Sequence, residues 1–320
     1  MLFAILDDYS RYVVQAQFYW DEKLPRLEDS LKKAILRWGI PEQFYCDEQA
    51  FSRHISASAL FESAGHREAI ARLHLMVENN YLGLLTGEVG SGKSTLIRCL
   101  LEGLDNMRYQ PVYIASSSLK PRDFYGELLR HAGEVPPYSL AKAKRLWAEV
   151  LTTRKEQGDK TLVIVADEAQ EMSEAMLVEL RFLVNHQMDS CSLFPLILVG
   201  QSELRRIFRL KKHEAIAQRI SLQYHLSGLT ADETKAYVRH QMQTAGMATP
   251  LFSDSAVSRV HAASQGIPRL INHFCNQALY DAGQRDHEVI EEAHISRVLA
   301  DYDRQRGRRV GLFWQNKSDG

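Results

Sequence analysis

A chain of 320 residues, 45% hydrophobic and 25% charged, has the balance of a globular protein of one large or two ordinary domains, long enough to bury a sizeable core. Its 39 Lys and Arg against 40 Asp and Glu leave a formal charge of -1, so no molecule-wide basic field draws it to nucleic acid, and any such contact must be a local patch. The four cysteines (Cys46, Cys99, Cys191, Cys275) lack metal or redox spacing, no apolar run reaches the roughly 20 residues that span a bilayer, and Asp7 and Asp8 stand where an export signal carries basic residues; a cytoplasmic location is expected.

In chain order, residues 2–6 (LFAIL) and 12–18 (YVVQAQF) read as two strands of a hairpin turned through DDYSR. A helix with an apolar face at Leu27, Leu31, Ala34, Ile35 and Trp38 follows, then a short strand around FYC. After Asp47 this pattern stops. GHREAIARLHLMV, from Gly65 to Val77, has amphipathic helical spacing, and YLGLLTG supplies an aliphatic strand entering a Gly-rich turn. Three more strands, PVYIA, TLVIVAD and FPLILVG, alternate with helices at about 121–132, 139–156, 173–187 and 202–209. The class is α/β: near-continuous aliphatic strands separated by helices make a parallel sheet covered on both faces.

Past Gly228 only helical patterns remain. Thr230 and Glu233 form a capping box at the start of the first, and others fall at about 253–264, 268–283 and 291–303, making a small all-helical domain. Residues 305–320 read as a basic and then polar tail.

The strongest motif is GEVGSGKST, which matches G-x-x-x-x-G-K-[ST] at Gly87, Gly92, Lys93 and Ser94. Such a match arises by accident on the order of once in a hundred chains of this length, and an apolar strand before it and a helix after it lower that further. The loop glycines let the amides of Glu88, Val89, Gly90, Ser91, Gly92, Lys93 and Ser94, with Thr95 behind them, curl around the β- and γ-phosphates of ATP at a positive helix end. Lys93 neutralises phosphate charge and the Ser94 hydroxyl ligates Mg²⁺ in this reading. LVIVADEAQ completes it. An aliphatic strand ends in Asp167, placed to hold Mg²⁺, and Glu168, placed to orient and polarise the attacking water. Two acids ending a strand can also be plain surface caps.

Three further polar positions fit the constellation, each ambiguous by itself. Gln201 ends the strand LILVG and could sense the γ-phosphate; Arg219, in AQRISL, could reach the nucleotide of an adjacent subunit; Arg269, in GIPRL, could reach the phosphates of its own.

Together, the P-loop, VIVADEAQ, LILVGQSEL, QRI, GIPRLIN and the entry helix HREAIARL resemble the AAA+ ATPases of the ExeA (general secretion A) and TniB type, the latter being transposition helpers. The resemblance covers roughly residues 50–304. It implies a nucleotide-binding domain over 48–227 and a helical lid over 228–304, with Gln201 as sensor 1, Arg219 as arginine finger and Arg269 as sensor 2; Arg205, Arg206 and Arg209 compete with Arg219. Residues 1–47 resemble the middle of a retroviral-integrase-like DDE transposase core, of the RNase H-like kind. There DDYSRYVV matches a strand pair and Asp47 the second catalytic acid, but Glu48 stands where Asn is expected. One acid of three cannot run two-metal chemistry, so this reads as a truncated remnant joined to the ATPase at YCDEQAFSRH, not an active nuclease.

The function these resemblances imply is an ATP-dependent transposition helper that assembles as a homo-oligomer on double-stranded DNA and works with a DDE transposase. Ser117, Ser118, Lys120 and Arg122 offer phosphate contacts, although the same residues could form an ordinary solvated loop. The competing expectations are a secretion-type ATPase acting on envelope-assembly proteins, against which the sequence shows no membrane anchor after the helical domain, and an inactive fusion product.

Overall fold

The computed structural model describes residues 2–6, 13–18, 61–115, 119–184, 192–247, 250–285 and 287–305. The chain divides into two units, Met1–Gln49 and Ala50–Gly320. In the first, β1 (Leu2–Leu6) and β2 (Val13–Phe18) pair antiparallel from Leu2 opposite Phe18, with a register shift between Ile5 and Leu6. The expected helix near residue 30 and the strand around FYC lie outside the described residues.

In the second unit, β3 (Leu82–Gly87), β4 (Tyr109–Ile114), β5 (Thr161–Ala166), β6 (Leu196–Gly200) and β7 (Ile220–Leu226) form a five-stranded parallel sheet in the order β4-β5-β6-β3-β7. The central strands are mostly aliphatic because both faces are covered, with Thr86 of β3 a buried polar residue. Leu162, Ile164 and Ala166 of β5 and Leu196 and Leu198 of β6 join one core. It is completed by α3 (Pro121–His131), α4 (Leu140–Gln157), α5 (Glu174–Leu183) and α6 (Ser202–Phe208) through Phe124, Leu128, Trp147, Met176, Leu180 and Leu204. The alternate residues Val163, Val165, Ile197 and Val199 face α1 (Ala64–Glu78) and α2 (Lys93–Gly103) through Leu73, Met76, Leu96 and Leu100.

The sequence reading anticipated four strands of this sheet; β7 is a fifth. Its residues ISLQYHL are only partly buried and mix polar with apolar, the signature of an edge strand rather than a buried one. A short helix, α7 (Glu214–Ala217), leads into it. The helix expected over 173–187 ends at Leu183, with Val184 as its cap.

Four helices follow: α8 (Ala231–Thr244), α9 (Asp254–Ser264), α10 (Pro268–Gly283) and α11 (Glu292–Gln305). They enclose their own core of Val238, Val260, Ile271, Phe274, Ala278 and Ile295. Burying an aromatic such as Phe274, 1% exposed, contributes about 3 kcal/mol. The capping box forms as expected: Thr230 Oγ1 accepts the Glu233 amide at 3.2 Å and Glu233 Oε2 accepts the Thr230 amide at 3.0 Å. Glu233 does more than close its own helix. Its Oε1 accepts the Ala64 amide at 3.0 Å, satisfying the first turn of α1 as well. Burial works to raise the Glu233 pKa, but the amides of Thr230 and Ala64 outweigh it and hold the carboxyl below its usual range. Phe61 packs edge-on against Tyr237 and His240 of α8, at 5.5 and 5.7 Å between ring centres.

Candidate active site

β3 runs into the loop Glu88–Gly92, and α2 begins at Lys93, the strand-loop-helix order that presents backbone amides to an anion. Gly90 (φ 85°) and Gly92 (φ 106°) adopt the left-handed region that side chains disfavour. Space demands glycine there too. A Cβ on Gly90 would lie 2.5 Å from Cβ of Arg269, and one on Gly92 would lie 2.8 Å from Nε2 of His66. The loop is therefore held between α10 and α1.

Lys93 is buried, and its Nζ donates to the carbonyls of Gly87 at 2.8 Å and Glu88 at 2.9 Å. Burial pushes its ammonium pKa down; the carboxylates of Glu168, Asp167 and Glu88 oppose that shift and the Arg269 guanidinium adds to it. All four charged side chains thus act on one amine. Ser91 Oγ is buried inside the loop with no hydrogen-bond partner, a desolvated hydroxyl that a ligand in the cradle could satisfy. Ser94 is exposed on the first turn of α2, with Thr95 half-buried behind it and Val89 exposed at the loop tip. Glu88 Oε1 accepts from Ser202 Oγ at 2.5 Å, fastening the loop to the start of α6.

The two acids follow β5. Asp167 is 6% exposed, and both its oxygens are oriented: Oδ1 accepts the Glu168 amide at 2.8 Å and Oδ2 accepts the Tyr113 hydroxyl at 2.5 Å. Burial and then Asp167 itself push the Tyr113 phenol pKa far up, so it remains a donor. Glu168 sits at φ 50°, a left-handed conformation uncommon for a side chain of its length, which turns the exposed carboxylate away from the strand direction. Its Oε2 accepts from Gln170 Nε2 at 2.5 Å, and Gln170 Oε1 in turn accepts the Gln201 amide at 2.9 Å.

Strand order explains how residues far apart in sequence gather. β6 lies between β3 and β5, so Gln201, the residue after β6, stands at the same sheet edge as the phosphate loop and the two acids. Arg269, on the first turn of α10, donates its backbone amide to the Gly90 carbonyl at 3.3 Å. Arg219 is not brought into this group. It directly precedes Ile220, which pairs with Leu82 at the start of β3, whereas Gly87 pairs with Leu226. Five strand steps, about 17 Å, separate the two ends. Of its competitors, Arg205 and Arg206 lie on α6 and Arg209 caps it. Lys120 is the N-cap of α3; Arg122 pairs with Asp123 at 2.9 Å and lies over the Tyr138 ring. Ser117 and Ser118 are outside the described residues.

Tyr113, Gln170 and His66 were not singled out from the sequence. HREAIARL and DEAQ were both noticed as motifs, but nothing in their spacing shows that His66 reaches the loop or that Gln170 bridges two strand ends.

Residues 76–208 match the AAA domain family, and that stretch contains the loop, both acids and Gln201. The chain carries an AAA domain on a P-loop α/β fold. It is 36% identical over 277 residues to the general secretion pathway protein A of Aeromonas hydrophila, an alignment covering 85% of this chain and 50% of that protein, so the chain spans half the length of this relative. Among solved structures it resembles Cdc6p of Pyrobaculum aerophilum (TM-score 0.57, 17% identity, 78% of this chain and 69% of that one). It also resembles Drosophila ORC bound to DNA (TM-score 0.57, 17% identity, 88% and 77%). At these identities the structural matches speak to the AAA+ fold alone. Among the described residues, no helix is long and apolar enough to cross a membrane.

Proposed function

We propose that this ATPase is a nucleotide-controlled assembly factor for DNA transposition, forming homo-oligomers on double-stranded DNA and engaging a DDE transposase. The observation that carries the assembly part is the separation of its arginines. Arg269 abuts the phosphate loop, while Arg219 stands at the other end of the same strand pair, suited to the nucleotide of a neighbouring subunit. An arginine supplied in this way is worth about 10³ to 10⁵ in rate for nucleotide hydrolases, enough to make turnover depend on assembly.

In the chemistry proposed, the loop amides and Lys93 hold the β- and γ-phosphates, and Arg269 draws the lid onto them. Glu168 orients a water toward the γ-phosphorus and takes its proton as the bond to the β-phosphate oxygen breaks, leaving ADP and phosphate. Ser94 and Asp167 would hold Mg²⁺, for which an oriented carboxylate and a hydroxyl are suitable hard donors; the ion would neutralise phosphate charge when bound. Gln201 would report the γ-phosphate to the β6 end. Lys120 and Arg122 are the proposed DNA phosphate contacts. The transposase-like sequence of residues 1–47 supports placing this machinery on DNA.

A second reading rests on one specific finding. The 36% identity to general secretion pathway protein A favours a secretion-type ATPase whose clients are proteins. One measurement separates the two: ATP hydrolysis with and without double-stranded DNA, for the intact chain and for Lys93→Ala. On the transposition reading DNA stimulates turnover, and Lys93→Ala lowers it at least about a hundredfold. ATP turnover indifferent to DNA, with no ATP-dependent assembly on it, rejects that reading and leaves the secretion one.

A further inference from the structure

We propose that Gln170 is a positioning residue for ATP hydrolysis, an amide clamp that fixes the Glu168 carboxylate at the phosphate end of the site and ties its direction to the end of β6. The inference deepens the assignment of Glu168 as the water-orienting base and rests on it.

Three observations support the clamp. First, the Gln170 amide uses both ends: its Nε2 donates to Glu168 Oε2 at 2.5 Å while its Oε1 accepts the Gln201 amide at 2.9 Å. An amide can do both at once, whereas a carboxylate only accepts and an ammonium only donates. Second, β6 is shaped to receive it. A Cβ on Gly200 would come 2.8 Å from Gln170 Oε1, so the residue before Gln201 has no side chain where the clamp docks. Third, Glu168 needs holding. It is exposed, in a left-handed backbone conformation, and its Oε2 is the oxygen bound by the clamp. The loose alternative, a carboxylate free to rotate into solvent, would have to be re-ordered in every turnover.

The arrangement has a direction. Glu168 follows the end of β5, and β6 alone separates that strand from β3 and its phosphate loop, so the clamped carboxylate stands at the same sheet edge as the cradle. With Oε2 occupied, Oε1 is the oxygen left to accept a proton from water. Because the other end of the clamp is the amide of Gln201, any shift of the β6 end is passed to Glu168 through one side chain of fixed length. Gln170 thereby makes the sensor strand and the base move together.

The test uses the full chain with ATP, magnesium and double-stranded DNA, reading single-turnover hydrolysis at saturating protein, nucleotide affinity from a fluorescent ATP analogue, and thermal melting. Gln170→Ala is expected to lower the hydrolysis rate about ten- to a hundredfold, the scale of a misplaced catalytic group, with nucleotide affinity and melting temperature unchanged. Gln170→Glu, nearly isosteric but unable to donate and facing Glu168 with a like charge, is expected to lose at least as much. Unaltered turnover in either variant overturns the proposal. So does a loss of nucleotide affinity parallel to the loss of rate, which would mark a structural role. If Glu168→Gln hydrolyses bound ATP as fast as the intact chain, the base assignment of Glu168 fails and the clamp with it. If Glu168→Gln is slow and the Gln170 variants match the intact chain, the base assignment stands and the clamp alone is lost.

Discussion

The two ends of the β3–β7 pair differ in almost every respect that matters to the chemistry. At the carboxyl end, Gly87 and Leu226 adjoin the phosphate loop, the buried Lys93, two acids, Gln201 and the lid arginine Arg269. At the amino end, Ile220 and Leu82 adjoin Arg219, half-buried and engaged within its own chain. The contrast teaches that one copy of the chain can build a nucleotide cradle but cannot bring all its arginines to it. On the proposed reading, the missing group comes from another copy.

The sharpest way to break this comparison is Arg219→Ala. Turnover of assembled protein is expected to fall about 10³- to 10⁵-fold while nucleotide affinity stays at the level of the intact chain. Mixing Arg219→Ala with Lys93→Ala should restore part of the activity, because some interfaces then pair an intact cradle with an intact arginine. A mixture no more active than its components would argue that Arg219 does not act between copies.

A smaller effect tests how far the carboxyl end depends on groups outside the motifs. Tyr113→Phe removes one hydroxyl that orients Asp167 and leaves the ring in place. Partners of this kind typically alter metal affinity by about 10- to 100-fold, so the magnesium concentration giving half-maximal nucleotide binding should rise by a factor in that range. An unchanged magnesium requirement would show that Asp167 is held well enough by the Glu168 amide alone.

The smallest effect concerns packing beneath the loop. Burial holds the His66 pKa below its ordinary value of 6.5, with Glu233 pulling the other way. Below about pH 6.5 the unfolded chain therefore takes up this proton before the folded one does, and stability falls until the folded-state value is reached. His66→Gln should reduce the acid-side slope of melting temperature against pH; an unaltered slope would mean that other groups set it.

Much of the carboxyl end was legible in the sequence because phosphate binding needs contiguous backbone. Gly87 to Thr95 must be neighbours in the chain to curl around one anion, and Asp167 and Glu168 must end one strand, so the motifs are local. The central strands were equally plain, since burial on both faces leaves few polar positions to interrupt them. β7 was missed for the opposite reason: as an edge strand it tolerates Gln223 and His225 and loses the aliphatic signature. Tyr113 was hidden because it meets Asp167 across a strand pair, 54 residues away in sequence. Gln170 lies only two residues from Glu168, but its importance depends on the left-handed turn at Glu168 and on the approach of β6, neither of which spacing reveals.

Glu233 gives the lid an unusual obligation. Its two oxygens close the first turns of α8 and α1 at once, so a single carboxylate serves as the common pin of the helix that opens the lid and the helix that leads into the phosphate strand. Movement of α8 away from α1 cannot leave the other helix undisturbed: drawing Glu233 away would strip the exposed Ala64 amide of its carboxylate acceptor, and deuterium would exchange into that amide faster in step with the movement.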